Sequence, residues 1–115
     1  MAARTETIAE RVALYDATFR DANEVIRQKT KDWDMQGPLP AICECADASC
    51  TEVLRLTPRQ YEEVRANSRW FINAPDHHVT SHGWGRVVAR HDGYEVVEKI
   101  GEAGNIVEQL DPREK

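Results

Sequence analysis

Three cysteines lie within one eight-residue segment, Cys43-Glu-Cys45-Ala-Asp-Ala-Ser-Cys50, and three histidines follow about 27 to 32 residues later. Zinc favours four tetrahedral ligands and binds both thiolate and imidazole groups. An ion held by both kinds of ligand ties an irregular loop to a distant part of the chain. The spacing therefore predicts a zinc site formed by the three cysteines and one histidine.

Free cysteines are also among the most buried residue types, so three ordinary core thiols are the alternative interpretation. The segment is polar and turn-prone, because Glu44, Asp47 and Glu52 alternate with the cysteines. Small hydrophobic side chains in such a segment would find little to pack against. The metal interpretation is therefore favoured.

The fourth ligand is less clearly marked than the cysteines. His77, His78 and His82 all lie in the segment that follows the apolar run 70–72, so each of them could reach the same ion. His77 is preferred. His91 lies beside a predicted turn and is expected at the end of a strand or on the surface.

The length and composition of the chain indicate how much core can surround this site. The 115 residues fit a single domain over 1–115, because a small domain has little apolar area to divide between two cores. Hydrophobic residues make up 41% of the chain, charged residues 30%, and the mean hydropathy is -0.63. These values are typical of a globular protein with a thin core, which a metal ion would reinforce.

Charge and cysteine content indicate the compartment and the classes of partner. The net charge is -5 and no basic block could neutralise a series of phosphates, so nucleic acid is not expected as a partner. The N-terminus lacks the apolar part of a signal peptide, and no apolar run approaches the roughly 20 residues that cross a bilayer. Clustered thiols in a reducing compartment point to metal rather than to disulfides. We therefore expect a cytoplasmic protein without membrane contact.

The first third of the chain predicts one long amphipathic helix over residues 8–30. Thr7 and Glu10 form a capping box at its start. Apolar residues recur at spacings of four and three, namely at Ile8, Val12, Tyr15, Phe19, Ala22 and Ile26. A helix of this length extends about 35 Å, which is longer than the domain that the remaining residues would form and could cover. The apolar stripe is expected either to pack on the protein's own sheet or to bind a partner protein or a second copy in a homodimer.

Residues 38–110 are predicted to form the zinc-binding α+β core. Residues 38–51, rich in Pro, Ala, Asp and Ser, are expected to be an irregular loop that carries the cysteines. Val53–Leu56 predicts a short strand. A short second helix is expected to follow, with Thr57 as its N-cap and Gln60 completing a second capping box.

A small antiparallel β-meander is predicted in the C-terminal half. Asp92-Gly93 suits the positive φ angles of a type I′ turn, and the apolar residues alternate on both sides, so a hairpin is expected with Ala89 opposite Val96. Residues 106–110 are predicted to add the third strand of the meander. Residues 111–115 are expected to be a polar tail.

Several short motifs lie within about residues 20 to 99. They are Asn23-Glu24, Cys43-Glu44-Cys45 with Cys50, Leu56-Thr57, Tyr61, Val64-Arg65, Pro75-Asp76-His77 and Gly93-Tyr94-Glu95-Val96-Val97-Glu98-Lys99. In these motifs the chain resembles a family of small uncharacterised bacterial proteins, chiefly actinobacterial, that has no established activity.

The resemblance implies a ligand set and a fold, but no mechanism. Because a Pro-x-His motif accompanies the cysteines in that family, the implied ligands are Cys43, Cys45, Cys50 and His77. The family usually has Pro-Gly-His followed by acidic residues, whereas this chain has Pro-Asp-His-His-Val-Thr-Ser-His, which keeps His78 and His82 open as ligands. Residues 100–110 extend past the usual ending of the family pattern.

Four protein ligands leave a zinc ion no open position for water or substrate, and such closed sites contribute folding energy rather than catalysis. We therefore predict a non-catalytic, zinc-stabilised interaction or regulatory module. Its working surface would be the helix stripe or the loop around Trp84. A zinc-thiolate redox switch is the alternative function. A small metalloenzyme and a nucleic-acid binder are less favoured, because no catalytic signature and no basic cluster are present.

Overall fold

The computed structural model describes residues 5–113, which form three α-helices and two small antiparallel sheets. The helices are α1 Ile8–Asp32, α2 Pro58–Arg65 and α3 Gly101–Gln109. The strands are β1 Leu39–Ile42, β2 Val53–Leu56, β3 Trp70–Asn73, β4 Gly85–His91 and β5 Tyr94–Lys99, and a 3₁₀ helix covers His77–Ser81. The predicted α+β class, with a long N-terminal helix, a short second helix and antiparallel strands, is confirmed.

The two sheets place the cysteine loop beside the core. Strands β1 and β2 form a two-stranded sheet in which the buried Leu39 lies opposite the buried Leu56. The larger sheet has the order β3-β5-β4, so β5 lies at its centre. The predicted hairpin is confirmed, because β4 pairs with β5 and Ala89 lies opposite Val96. Both predicted capping boxes, at the starts of α1 and α2, are also present.

The C-terminal strand predicted over residues 106–110 is wrong, and with it the third strand of the meander. These residues belong largely to α3, whose Ala103 and Val107 are fully buried, one helical turn apart, in the same apolar cluster as Phe71. Strand β5 is already paired on both sides, with β3 and with β4. It therefore has no free edge at which another strand could add.

Two further segments are more ordered than the sequence predicts. Residues 39–42, predicted as part of an irregular loop, form β1, with Leu39 and Ala41 buried and Pro40 exposed. Proline is tolerated here because β1 pairs with a strand on one side only. Trp84, predicted on an exposed loop, is half-buried against Gly101 at the start of α3.

The predicted polar tail is docked over residues 111–113. Asp111 accepts a bond of 2.5 Å from the buried guanidinium of Arg65, and the Arg113 guanidinium lies 2.5 Å from the carboxylate of Glu24 on α1. These contacts hold the end of the chain between α1 and α2. Residues 114–115 of the predicted tail lie outside the described residues.

The buried face of α1 is rotated from the predicted apolar stripe by about one residue, or about 100° around the helix axis. Ile8, predicted to face inward, is 56% exposed, and Tyr15 and Ala22 are exposed as well. The buried positions are Ala9, Val12, Ala13, Asp16, Ala17, Arg20, Asn23 and Thr30. Of the stripe, Val12 is buried and Phe19 and Ile26 are half-buried, so the prediction that the stripe packs on the protein's own sheet is largely wrong.

Polar side chains on this inner face connect α1 to the remainder of the protein. Asp16 lies 3.2 Å from the ammonium group of Lys99, and both side chains are fully buried. Burial raises the pKa of Asp16 to about 7, although the Lys99 charge opposes the shift. Arg20 donates hydrogen bonds of 2.8 Å to the carbonyl oxygens of Ser68 and Val107. Since each of these groups needs its partner, polar pairing fixes the orientation of α1 together with the apolar packing of Ala9 and Ala13 against Phe71.

The Asn23 amide gives a direct test of this attachment. Its Oδ1 accepts from the Ile42 N–H at 2.8 Å and its Nδ2 donates to the Ile42 carbonyl at 2.9 Å. Asn23→Ala leaves these part-buried groups of Ile42 without a partner and removes one bond to the buried Glu44 carboxylate, so we expect the free energy of unfolding to fall by about 2–3 kcal/mol. The measurement is denaturant unfolding followed by circular dichroism. The exposed Gln28→Ala variant is the control and is expected to change stability by less than about 0.5 kcal/mol. Equal stability of the two variants would show that Asn23 does not anchor β1.

Candidate metal centre

The cysteine loop connects β1 to β2. Cys43 and Cys45 follow β1 directly, whereas Cys50 precedes β2. The Cys43 N–H donates to the Glu52 carbonyl oxygen at 3.1 Å, which continues the pairing of the two strands into the loop. Between them, the Cys50 N–H donates to the Asp47 carbonyl oxygen at 3.0 Å and closes a turn. The loop therefore brings its two ends, and with them the three thiols, close together.

Glu44 fixes the direction in which Cys43 and Cys45 point. Its buried carboxylate accepts from the Ile72 N–H of β3 at 3.0 Å and from the Asn23 amide of α1 at 2.8 Å. Alternate side chains of an extended segment lie on the same side, and the intervening one lies on the other. With Glu44 held against α1 and β3, both neighbouring thiols face the 3₁₀ helix that carries His77.

Local hydrogen bonds position His77 at the start of the 3₁₀ helix. Its N–H donates to the Ala74 carbonyl oxygen at 3.0 Å. The Thr80 hydroxyl donates to the His77 carbonyl oxygen at 2.8 Å and accepts from the Ala46 N–H at 2.9 Å. Thr80 thus links the helix of His77 directly to the cysteine loop.

Cys43, Cys45, Cys50 and His77 lie close together, with their four ligand atoms all within 4.8 Å of one another. The Nδ1 atom of His77 is 3.6 Å from the sulfur of Cys43 and 3.5 Å from that of Cys50. With Zn–S bonds of about 2.3 Å and a Zn–N bond of about 2.0–2.1 Å, the nitrogen–sulfur edge of a tetrahedron is about 3.6 Å. The four side chains are therefore compatible with a metal site of this size.

The structure separates the other histidines from the cysteine group. The Nδ1 atom of His78 is 3.8 Å from a carboxylate oxygen of Glu95, so its ring lies on the side of β5. His82 is exposed, at the end of the 3₁₀ helix with a φ of 49°. His91 is exposed and stacks on the ring of Tyr94 at 4.7 Å, in agreement with the surface position predicted for it.

A hydrogen bond between two of the thiols shifts their pKa values in a way that favours a bound cation. A hydrogen bond from Cys43 lowers the pKa of the Cys45 thiol to about 5, whereas the pKa of Cys43 is raised because it provides that bond and is buried. The Cys43 sulfur also accepts from the Ala74 N–H at 3.1 Å. The lowered pKa of Cys45 favours a thiolate in a buried position, which a divalent cation would neutralise.

Sequence reasoning missed the residues that hold the ligands in place. Glu44 appears in the sequence as one of several acidic residues near the cysteines, yet it is buried, and burial raises its pKa to about 7. Asn23 and Thr80 likewise carry no local signal of their roles. Only the fact that Glu44 lies between two predicted ligands could have drawn attention to it.

Comparisons of the chain with protein-family models, with curated proteins and with solved structures find no match. Across the described residues 5–113, none of the helices combines the length and the apolar character that crossing a membrane requires.

The hydroxyl of Thr80 provides a test of how the site is assembled. Thr80→Val keeps the shape of the side chain but removes the bond from the Ala46 N–H, which joins the loop to the 3₁₀ helix, and the bond to the His77 carbonyl oxygen within that helix. Since each such bond contributes about 1 kcal/mol, we expect the free energy of unfolding to fall by about 1–2 kcal/mol. Val79→Ala is the matched control, because Val79 lies on the same 3₁₀ helix and is 68% exposed. If Thr80→Val is as stable as this control, the hydroxyl does not connect the two segments.

Proposed function

We propose that Cys43, Cys45, Cys50 and His77 bind one Zn²⁺ ion and that the ion stabilises a non-catalytic protein-interaction module of the cytoplasm. One observation carries the proposal: the His77 Nδ1 atom lies 3.5 and 3.6 Å from two cysteine sulfurs, as tetrahedral zinc requires. The three free cysteines suit a reducing compartment.

The donor set supports zinc as the metal. Thiolate and imidazole ligands in a tetrahedral arrangement are typical of structural zinc sites, whereas magnesium and calcium prefer oxygen ligands. Four protein ligands also fill the coordination of the ion. A site closed in this way stabilises the fold and leaves no position at which water or substrate would be activated.

The position of the site supports a stabilising role. The ligands come from the end of β1, the start of β2 and the segment after β3, so one ion would connect the two sheets. Cys43 and Cys45 also belong to the larger apolar cluster, which includes Leu54, Leu56 and Tyr61. An ion beside this cluster would add the free energy of its coordination to the stability that the small core provides.

The surface of α1 supports an interaction role. Several apolar side chains of the helix that are exposed or half-buried lie along one side of it, which we call the apolar flank. Its members are Ile8, Tyr15, Phe19, Ala22, Ile26 and Trp33. Contiguous exposed apolar surface of this kind is typical of a protein-binding surface. A module stabilised by zinc would present this flank to its partner.

A zinc-thiolate redox switch is the second candidate, and the partial exposure of Cys50 favours it. The other two thiols are buried, so Cys50 is the sulfur that an oxidant would reach first. Two thiolates and one hydrogen peroxide molecule would give one disulfide and two hydroxide ions, which would remove two ligands and release the metal.

Zinc binding is tested by native mass spectrometry of protein purified without chelator. We expect one zinc ion per chain, no stoichiometric zinc in His77→Ala or Cys45→Ser, and a large drop in melting temperature when a chelator removes the metal. His82→Ala is the control, since His82 is exposed and lies outside the cysteine group. Metal-free protein that is equally stable would overturn the proposal.

The redox candidate has its own measurement. Zinc release under mild peroxide is followed with a chromogenic chelator, and recovery is followed after addition of a thiol reductant. Rapid and reversible release, accompanied by a disulfide that includes Cys50, would support the switch. If zinc stays bound while the thiols stay reduced, the switch is excluded and the stabilising role stands.

A further inference from the structure

The apolar flank of α1 has the spacing of a helix-pairing surface. When the buried Val12 and the exposed Lys29 are included, the positions from Ile8 to Trp33 follow one another at alternating spacings of four and three residues. The pattern therefore repeats every seven residues. A seven-residue repeat of this kind forms the seam of a two-stranded coiled coil. We infer that this flank binds the same flank of a second copy of the chain, antiparallel to it, and this inference rests on the proposed interaction function.

The flank is accessible at several positions between the start and the end of the helix. Ile8 at its beginning is 56% exposed and Trp33 at its end is 70% exposed. Tyr15 and Ala22 between them are exposed, and Phe19 and Ile26 are half-buried. The apolar surface is therefore accessible at both ends and near the middle of the helix, with the buried Val12 and the charged Lys29 between these parts.

The flank is complementary to itself when two copies run in opposite directions. A two-fold axis near the middle of α1 places Ile8 opposite Trp33 of the second copy, Tyr15 opposite Ile26, and Phe19 opposite Ala22. Large side chains at Phe19 thereby meet the small Ala22. In an isologous interface the two-fold axis repeats every contact between two residues, so the flank must be complementary to itself.

The charges beside the flank select the antiparallel direction. The exposed positions along its solvent side are Arg11, Thr18, Val25 and Asp32. In the antiparallel register Arg11 faces Asp32 of the second copy, and the symmetry repeats this ion pair. In a parallel pair Arg11 would instead face Asp16, which is buried against Lys99. Only the antiparallel arrangement therefore pairs both charges.

The size of the surface sets the strength that we expect. The flank is a strip about 38 Å long and about 10 Å wide. The area of this strip is smaller than the roughly 800 Å² of surface that each partner buries in a standard interface. The dimer is therefore expected to be reversible and to dissociate on dilution. Lys29, which would face the buried Val12, can lay its stem on the flank and keep its ammonium group in water.

The first experiment is sedimentation velocity of the zinc-loaded protein over a range of concentrations, with zinc content measured on the same samples. We expect a monomer–dimer equilibrium. Ala22→Lys places a charge at the centre of the flank and is expected to weaken the dimer at least about 100-fold. Leu14→Lys is the matched control, because Leu14 is an exposed apolar residue of α1 at 46% but points away from the flank. A wild-type protein that stays monomeric overturns the inference.

A charge exchange tests the direction of pairing. Arg11→Asp and Asp32→Arg each turn two attractive pairs into two repulsive ones, so each is expected to weaken the dimer about tenfold. The double variant restores opposite charges in the antiparallel register and is expected to recover most of the wild-type affinity. Additive losses in the double variant overturn the antiparallel register. Circular dichroism of each variant checks that α1 remains folded.

The zinc measurement separates this inference from the proposed function. A monomer that holds one zinc ion per chain would overturn the homodimer and leave the stabilising metal in place. A dimer without stoichiometric zinc would support the pairing and contradict the proposed role of the cysteines.

Discussion

The buried carboxylate of Glu44 lies where the three parts of the protein meet. It accepts one hydrogen bond from Asn23 of α1 and one from the backbone of β3, and its own N–H donates to the Ile72 carbonyl oxygen at 2.8 Å. Cys43 and Cys45 flank it on either side. A buried carboxylate is costly unless its oxygens are hydrogen-bonded. The helix, the sheet and the cysteine loop must therefore assemble together, because each satisfies a group that the others leave buried.

The same dependence extends through the interior of the protein. The Asp16–Lys99 pair and the Arg20 guanidinium occupy space that apolar side chains fill in most small domains. Buried ion pairs seldom stabilise a fold more than apolar residues of equal volume, but losing one partner is strongly destabilising. Such an interior specifies one arrangement at the expense of stability. A metal ion that joins the two sheets would offset this cost.

Local patterns in the sequence predict the parts of the fold that depend on neighbouring residues alone. The two capping boxes and the Asp92-Gly93 turn lie where predicted, because each is formed by residues a few positions apart. The third strand and the tail fail for a different reason. Residues 106–109 belong to α3, which packs against α1, and β5 has no free edge for a further strand. Asp111 is docked because Arg65 lies nearby. Neither the packing of α3 nor the position of Arg65 can be inferred from the residues of these segments alone.

The candidate site divides along the same line. Residue type and spacing predict the three cysteines and narrow the histidine to those that follow the apolar run 70–72, but the groups that orient these side chains come from distant segments. The rotation of α1 has the same origin. Periodicity cannot distinguish an apolar stripe that faces the core from one that lies beside it, and here Asn23 and Arg20 find buried partners that turn the helix. Because those polar residues share the inner face with small residues such as Ala13 and Ala17, larger apolar residues such as Ile8 and Tyr15 are left exposed.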